Sequence, residues 1–529
     1  AGSISASGYF ESDGGAMTLT ASGGGISASG EIRANQGAAT LSALWDIDVD
    51  AQLRAATDLS LDSIAGSIET GGEIVAGGAG SFTAAGDVTL ESENIATGAS
   101  GSFSGGLQSS GLSGGLTVTS ESGNISSDAS QIQVYSGDLT MTADTGGIDA
   151  EGDIEIQDGS VTLSANQGIS LDSLYLTSYG TGAITVKAMG GDVTSSYGSI
   201  RNYGSGGIAL SASGGITIDS GYVESIEAAT LSAVGDINVI DADLLGWTDL
   251  SLDSSAGSIS ASGYFESSVG AMTLTASGGI NLSGEFDSYG GAMTLTAVGD
   301  IDVDAQLRAA TDLSLDSIAG SIETGGEIVA GGAGSFTAAG DVTLESENIA
   351  TGASGSFSGG LQSSGLSGGL TVTSESGNIS SDASQIQVYS GDLTMTADTG
   401  GIDAEGDIEI QDGSVTLSAN QGISLDSLYL TSYGTGAITV KAMGGDVTSS
   451  YGSIRNYGSG GIALSASGGI TIDSGEIKAN QGATTLSAVG DIDVIAADLL
   501  GDTDLSLDSS AGSISASGYF ESDGSVTLT

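Results

Sequence analysis

The chain has 529 residues, of which 90 are Gly, and it contains no Pro, Cys or His. Asp and Glu number 66 against 8 Lys and Arg, which gives a formal charge of −58, while 39% of the residues are hydrophobic. Collagen, disulfide frameworks, Cys- or His-ligated metal sites and basic nucleic-acid-binding faces are thereby excluded. The apolar fraction argues against disorder, and no apolar run approaches the roughly 18 residues of a membrane span.

Strand-like phrases, in which apolar residues alternate with Thr or Ser, recur along the chain about every 21 residues. In chain order they are centred on Leu19, Leu41, Leu61, Phe82, Phe103, Val118, Met141, Leu163, Val186, Leu210, Leu231, Leu252 and Leu274. The residues between them also alternate with period two, as in Ala39–Asp50, and pairs such as GG, SG and GD mark turns. The pattern predicts an all-β fold, a parallel β-helix (β-solenoid) with coils of about 21 residues.

A much longer repeat is superimposed on these coils. Asp46–Gly221 recurs unchanged as Asp300–Gly475, and the opening AGSISASGYFES returns at Ala256 and Ala511. The tandem units are therefore 1–255 and 256–510, with the start of a third at 511–529. We expect residues 1–529 to form one continuous solenoid, a rod of roughly 25 coils on the order of 120 Å long. Because the chain begins and stops within a unit, we expect it to continue in a longer polypeptide or to join other subunits head to tail.

The coils differ in length by only a few residues, so we expect no long insertion, and an irregular coil between Phe103 and Val118. The two tryptophans, Trp45 and Trp247, lie in turn-like positions and should be exposed or at a contact. Without His, Cys or cleft-forming loops no nucleophile–base pair can be assembled. We therefore expect no enzyme activity, no catalytic residue and no required cofactor.

Phrases such as TLSAVGDINV, GDVTLESENI, GSISASG and ITIDSG resemble the passenger repeats of filamentous-haemagglutinin-like bacterial exoproteins. The resemblance covers essentially the whole chain. It implies a right-handed parallel β-helix and a bacterial extracellular shaft, adhesive or structural, of the kind found in giant surface adhesins.

Acidic strands are the first candidate site. In Asp46-Ile47-Asp48-Val49-Asp50, period two turns the apolar residues inward and the carboxylates outward, and Asp300, Asp302 and Asp304 repeat the arrangement. Stacked coils would bring acids from neighbouring turns together, which suits a weakly held Ca²⁺ or Mg²⁺. The alternative is a solvated acidic face that keeps the rod soluble.

The charge density bears on partners. At the expected length the rod carries one negative charge per about 2 Å, close to the value of about 1.7 Å for duplex DNA. Copies of such a rod repel one another unless counterions gather, so lateral bundling should depend on salt or divalent cations.

A tyrosine-rich stretch is the second candidate. It combines tyrosines with rare bases, and its members in the two units are Tyr175, Tyr179, Lys187, Tyr197, Arg201 and Tyr203, and Tyr429, Tyr433, Lys441, Tyr451, Arg455 and Tyr457. Such a patch is typical of a contact with a glycan or a neighbouring filament. The alternative is that the tyrosines stack on one another in successive coils.

Thr-x-Thr phrases such as Thr18/Thr20 and Thr140/Thr142 also recur. A regular threonine lattice can order ice-like water, but Asp62, Lys187, Ala209 and Asp253 interrupt this one. Cross-strand threonine pairing explains the phrases better.

The sequence therefore favours a structural protein, the rigid acidic shaft of an extracellular bacterial filament or giant cell-surface protein. The alternative is an adhesin that binds glycans or cell surfaces through the tyrosine patches. The partners expected are other copies of the chain, divalent cations and, for the adhesin, a glycan, with no nucleic acid and no membrane span.

Overall fold

The computed structural model describes residues 2–98, 100–102, 108–110, 114–128, 131–352, 354–356, 362–364, 368–383 and 385–529. All regular structure in these ranges is β-strand, and no described segment is helical. The chain forms two compact units, Ala1–Phe265 and Glu266–Thr529, whose boundary lies about ten residues beyond the sequence repeat. The predicted all-β parallel β-solenoid is confirmed.

Each turn of a unit contains up to three strands, and each strand pairs in parallel with its counterparts in the turns before and after. We call the three stacks column 1, column 2 and column 3. In column 1, for example, Leu19 pairs with Leu41, and Leu41 with Leu61. The apolar alternates of all columns point inward, where Leu41, Ile47 and Leu53 are fully buried. Backbone pairing between turns therefore follows the apolar phrases of the sequence.

In unit 1, column 1 consists of Met17–Ala21, Ala39–Ala43, Leu59–Ser63, Gly80–Ala84, Leu116–Ser120, Leu139–Ala143, Val161–Ala165, Ile184–Ala188, Ile208–Ala212, Ala229–Ala233 and Leu250–Ser254. Column 2 consists of Ile4–Ala6, Ile26–Ala28, Ile47–Val49, Ile68–Thr70, Val88–Leu90, Ile125–Ser127, Ile148–Ala150, Ile169–Ser170, Val193–Ser196 and Ile216–Asp219. Column 3 consists of Tyr9–Ser12, Glu31–Ala34, Gln52–Ala55, Ile74–Ala76, Ile95–Thr97, Gln131–Val134, Gly152–Ile156, Leu174–Ser178, Ser199–Asn202 and Tyr222–Ser225. Ile237–Gly246 runs through columns 2 and 3, and Ile259–Ser267 crosses the unit boundary.

In unit 2, column 1 consists of Met272–Ala276, Met293–Ala297, Leu313–Ser317, Gly334–Ala338, Leu370–Ser374, Leu393–Ala397, Val415–Ala419, Ile438–Ala442, Ile462–Ala466, Thr484–Ala488, Asp504–Ser509 and Ser525–Leu528. Column 2 consists of Ile322–Thr324, Val342–Leu344, Ile379–Ser381, Ile402–Ala404, Ile423–Ser424, Val447–Ser450 and Ile470–Asp473. Column 3 consists of Glu327–Ala330, Asn348–Thr351, Gln385–Val388, Gly406–Ile410, Leu428–Ser432, Ser453–Asn456 and Glu476–Ala479. Ile280–Ser288, Ile301–Ala309, Ile492–Gly501 and Ile514–Ser522 are single long strands.

One turn in each unit corrects the sequence analysis. Gly80–Ala84 pairs directly with Leu116–Ser120, so these two strands belong to consecutive turns of column 1. Between them Ser100–Ser102 and Gln108–Ser110 pair antiparallel, and Phe103 itself lies outside the described residues. The expectation of no long insertion is therefore wrong. The described column 1 strands number 11 in unit 1 and 12 in unit 2, fewer than the roughly 25 coils predicted.

Candidate functional site

In the later turns of both units, the corner that follows column 3 carries one outward side chain per turn, and together more than half of these side chains are aromatic. The backbone rungs of this ladder are regular, because the N–H of Tyr179 donates to the carbonyl of Ile156 and that of Tyr203 donates to the carbonyl of Ser178. We call this ladder the aromatic corner, and its members in unit 1 are Tyr135, Gln157, Tyr179, Tyr203, Ile226 and Trp247. The corresponding residues of unit 2 are Tyr389, Gln411, Tyr433, Tyr457, Asn480 and Asp502.

Tyrosines in successive turns of this corner stack. The ring centroids of Tyr179 and Tyr203 are 5.8 Å apart, and those of Tyr433 and Tyr457 are 5.4 Å apart. Tyr179 nevertheless remains half exposed at 50%. Stacking of tyrosines in successive turns, the alternative to a contact patch, is thus present. Part of the ring surface remains exposed and available to a partner.

The structure divides the rest of the predicted patch among different places. Tyr175 lies on the outer surface of column 3, in register with Asp153 and Ser199. Tyr197 lies at the corner between columns 2 and 3, is 67% exposed, and has a φ of 58°. A bulky side chain in this left-handed conformation is uncommon and costs of order 1 kcal/mol or more. In unit 2, Tyr429 and Tyr451 occupy the same positions, also exposed.

Lys187 and Lys441 do not join the tyrosines. Each is the fourth residue of a column 1 strand, and Lys187 is in register with Ser164 and Ser211. The sequence placed Lys187 close to Tyr179 only because the two are near neighbours along the chain. The predicted patch is therefore not one surface: Tyr179 and Tyr203 lie in the aromatic corner, and Lys187 lies on column 1.

Arg201 has different partners from its counterpart Arg455. Its guanidinium carbon lies 4.8 Å from the ring centroid of Tyr222, and its Nε lies 3.9 Å from Glu224. Burial raises the pKa of Tyr222 to about 12, and the Glu224 carboxylate acts in the same direction. In unit 2 the residue that corresponds to Tyr222 is Glu476, which accepts a hydrogen bond of 2.7 Å from Arg455.

Tyr203 connects the aromatic corner to the cluster of Arg201, Tyr222 and Glu224. Its hydroxyl donates to the Glu224 carboxylate at 3.0 Å. Burial and the neighbouring Glu224 carboxylate raise the pKa of Tyr203. Tyr203 therefore stays protonated at neutral pH and keeps a ring face and a fixed hydroxyl at the surface.

The carboxylates of the predicted acidic strands are exposed, as expected, but they have different contacts. Asp46 Oδ1 accepts a hydrogen bond of 2.9 Å from the backbone N–H of Ser67 in the next turn. Asp48 lies in register with Ser27 and Glu69, and Asp50 is exposed where its strand ends.

The second copy repeats this arrangement. Asp300 Oδ1 accepts a hydrogen bond of 2.8 Å from the N–H of Ser321, Asp302 lies in register with Glu323, and Asp304 is exposed. Asn281 also donates to Asp302 at 3.0 Å. In the part of the chain that the structure describes, no three acidic side chains converge into a metal site. Cation binding at these strands stays a prediction.

A carboxylate ladder at the turn before column 2 was missed in the sequence. Asp or Asn at this turn accepts the backbone N–H of the residue one turn ahead. Examples are Asp87 to Asn124 at 2.7 Å, Asp192 to Gly215 at 2.7 Å and Asp236 to Ser258 at 2.8 Å. Asn124 takes the same role toward Gly147 at 2.9 Å. Part of the acidity thus satisfies turn N–H groups, and the recurrent GD-apolar phrase was its signal.

Buried arginines on column 3 were also missed. Arg54 is 2% exposed, pairs with Glu73, and has Nη1 3.3 Å from Glu31. Arg308 is likewise 2% exposed, pairs with Glu285, and lies 3.5 Å from the fully buried Asp287. Strands with one charged residue between small apolar ones, such as QLRA, gave no sign of burial.

Comparisons with known proteins add no relative: no family model, no curated protein and no solved structure matches this chain. Among the described residues, no helix has the length and apolar character needed to cross a membrane.

Proposed function

We propose that this protein is a non-catalytic structural element, the acidic shaft of an extracellular bacterial filament or giant surface protein. The observation that carries the proposal is the stacking of turns within each unit. Within each unit, each described column 1 strand pairs with a column 1 strand of an adjacent turn, and the same 176-residue segment, 46–221, is used again without change at 300–475. Repetition of identical turns suits a material whose length matters more than any single site.

Two further features support a shaft. The turns are held by backbone ladders and by the carboxylate ladder, so each turn contacts only its neighbours and a unit can lengthen by adding turns. The chain has no His or Cys to serve as a base or nucleophile. The extracellular location is supported by the resemblance to filamentous-haemagglutinin-like exoproteins.

Electron microscopy of the purified chain tests the shaft. That residues 1–529 continue as one rod remains a prediction from the sequence, with a length on the order of 120 Å. For a single copy of the chain we expect a particle of about that length and one solenoid in width. Two globules joined by a flexible link would contradict it.

Association should respond to divalent cations more than to ionic strength alone, because a chain of charge −58 repels its copies. We expect Ca²⁺ to increase light scattering more than Na⁺ at matched ionic strength. The control is a variant with Asp48→Asn and Asp302→Asn, which should lose part of the Ca²⁺ response if the acidic strands hold the ion. Equal light-scattering curves for the two salts would mean that charge screening alone explains the association.

Adhesion through the aromatic corner is the second candidate, favoured by the half-exposed, stacked rings of Tyr179 and Tyr203. Aromatic faces with fixed hydroxyls are suited to sugar rings, which present both apolar faces and hydroxyl groups. A glycan array with the full chain tests this.

A variant with Tyr→Ala at the stacked positions 179, 203, 433 and 457 should lose any selective binding. Tyr519→Ala is the matched control, because Tyr519 is 54% exposed but lies outside the aromatic corner. If the parent chain bound no glycan selectively, adhesion would be contradicted and the shaft would be the only remaining candidate.

A further inference from the structure

Column 1 of unit 1 presents the least charged surface of a strongly acidic chain. Its outward side chains are the second and fourth residues of each strand, which we call the hydroxyl face. Over eleven strands these are Thr18 and Thr20, Thr40 and Ser42, Ser60 and Asp62, Ser81 and Thr83, Thr117 and Thr119, Thr140 and Thr142, Thr162 and Ser164, Thr185 and Lys187, Ala209 and Ser211, Thr230 and Ser232, and Ser251 and Asp253. The face carries only three charges, at Asp62, Lys187 and Asp253.

The neighbouring column 2 carries more charge for its size. Its outward residues in unit 1 include four carboxylates and no base, at Asp48, Glu69, Asp149 and Asp219, whereas the hydroxyl face has two carboxylates and one lysine on more outward positions. Two copies of the chain repel each other least where these carboxylates are most distant. The hydroxyl face is therefore the surface on which a second copy can approach.

We propose that unit 1 forms an antiparallel, two-fold symmetric pair with a second copy of this chain through the hydroxyl face, joined by ion pairs between Lys187 and Asp62. The proposal goes beyond the shaft, because the pairing requires no filament. Asp62 lies in the third column 1 strand and Lys187 in the eighth. A two-fold axis between the fifth and sixth strands, Leu116–Ser120 and Leu139–Ala143, sets the third strand of one copy opposite the eighth of the other.

The geometry of the axis fixes which residues meet. An axis parallel to the strands preserves position along a strand, so fourth residues face fourth residues. Asp62 and Lys187 are both fourth residues, and the symmetry repeats their ion pair. In this register strands one to ten oppose strands ten to one, and every other facing pair contains only Thr, Ser or Ala. Asp253, in the eleventh strand, lies outside the paired region.

The same two-fold axis brings a tryptophan of each copy opposite a surface hollow of the other. Trp45 follows the second strand and is 52% exposed. A shallow hollow of about 270 Å³ lies beside Lys187 at the eighth to eleventh strands, where Met189 and Val234 line it together with serines such as Ser213 and Ser255. The axis sets the second strand opposite the ninth, which places Trp45 of each copy over the hollow of the other. An exposed aromatic side chain that packs into a depression on its partner is a typical interface anchor.

The paired area is of the right size. Ten turns at about 4.8 Å and strands of five residues at about 3.4 Å cover about 800 Å² of each copy. Stable protein interfaces bury about 800 Å² per partner. Unit 2 repeats the charges at Asp316 and Lys441 and has a hollow of about 300 Å³, but its residue in the place of Trp45 is Gly299. Unit 2 therefore has the ion pair without the tryptophan.

Charge swaps in the full chain test the pairing by sedimentation velocity. Because both units carry the charges, Lys187 and Lys441 are changed together to Glu, and Asp62 and Asp316 together to Lys. We expect each pair of changes to weaken dimerisation at least tenfold and all four changes together to restore it to within about threefold. Circular dichroism confirms that the variants are folded.

The matched control is Asp253→Lys with Asp508→Lys, which adds the same charge as the Asp62 and Asp316 changes but lies outside the paired strands. It reduces general repulsion and should leave dimerisation unchanged or stronger. With Trp247→Phe, Trp45 is the sole tryptophan, and its quenching by acrylamide should fall as the dimer forms. A chain that stays monomeric, a combined variant that does not recover, or unchanged quenching on dimerisation would overturn the proposal. Dimerisation of a chain that electron microscopy shows as two globules joined by a flexible link would leave this inference standing and count against the shaft.

Discussion

Arg54 and Arg308 occupy identical strands in the two units, yet their surroundings differ. Arg54 lies in register with Arg33 of the preceding turn, whereas Arg308 lies in register with Asp287. All three arginines and Asp287 are buried. Unit 1 thus stacks two guanidiniums that share Glu31, while unit 2 buries an opposite-charge pair. In a solenoid, the chemistry of a turn is set by the turn beside it as much as by its own residues.

The largest expected effect tests this difference directly. At pH 8, Arg308→Met should lower the free energy of local opening in unit 2 by about 3–5 kcal/mol, because it leaves Asp287 buried without its cation. Arg54→Met should cost less, since Arg33 still pairs with Glu31 and the like-charge apposition is relieved. Hydrogen exchange with mass spectrometry can read both, because strands Ile280–Ser288 and Glu31–Ala34 differ in sequence. Equal losses would show that the neighbouring turn does not matter.

The pH dependence of the two units should also differ. Burial raises the pKa of Asp287 to about 6, although the Tyr289 hydroxyl and the Arg308 guanidinium act in the opposite direction. Between about pH 4 and 6 the folded unit keeps a proton that the unfolded chain has released. Opening of Ile280–Ser288 should therefore become easier as the pH rises through this window, by at most about 3 kcal/mol.

Hydrogen exchange corrected for intrinsic rates measures the pH effect. Asp287→Asn should flatten the profile of Ile280–Ser288. The strand Glu31–Ala34, which has Arg33 at the equivalent position, should lack this contribution and serves as the internal reference. A slope of the opposite sign would mean that Arg308 dominates the titration.

Where the neighbouring turns are identical, the two units should respond alike. Asp192 accepts the N–H of Gly215 at 2.7 Å, and Asp446 accepts that of Gly469 at 2.6 Å. Replacement of either by Ala should cost about 1 kcal/mol locally, comparable to the loss of a helix cap. Asn should cost much less, because Asn124 already performs this role in the chain. The mutated peptide differs in mass from its unchanged copy, so each variant contains its own control.

The smallest effect concerns Arg455. Its hydrogen bond to Glu476 is partly exposed, so Glu476→Gln should cost less than about 1 kcal/mol and lose even that at high salt. Tyr222→Glu in unit 1 would introduce the same pairing for Arg201 and should gain a similarly small amount. A large effect of either change would mean that the pair is more deeply desolvated than the structure places it.

Much of the fold was predictable because its signals are local. The alternation around Leu41 and Leu61 placed column 1 strands and their register correctly, and Trp45 and Trp247 are exposed as expected. The phrase at Phe103 misled the count of turns, since alternation alone cannot tell a strand that joins a column from one within an insertion. Lys187 was grouped with Tyr179 because the sequence gives proximity along the chain but not the column to which each residue belongs.

The sequence by itself determined the repeat, the all-β solenoid and the acidity, because inward apolar residues must recur once per turn for the turns to stack. Only the tertiary structure decided which side chains meet across turns. Several features depend on residues about 21 positions apart in the sequence. They are the burial of Arg54, the carboxylate ladder, the aromatic corner and the low charge of the hydroxyl face. Small differences in turn length shift those partners, so their identity depends on the pairing register that folding sets.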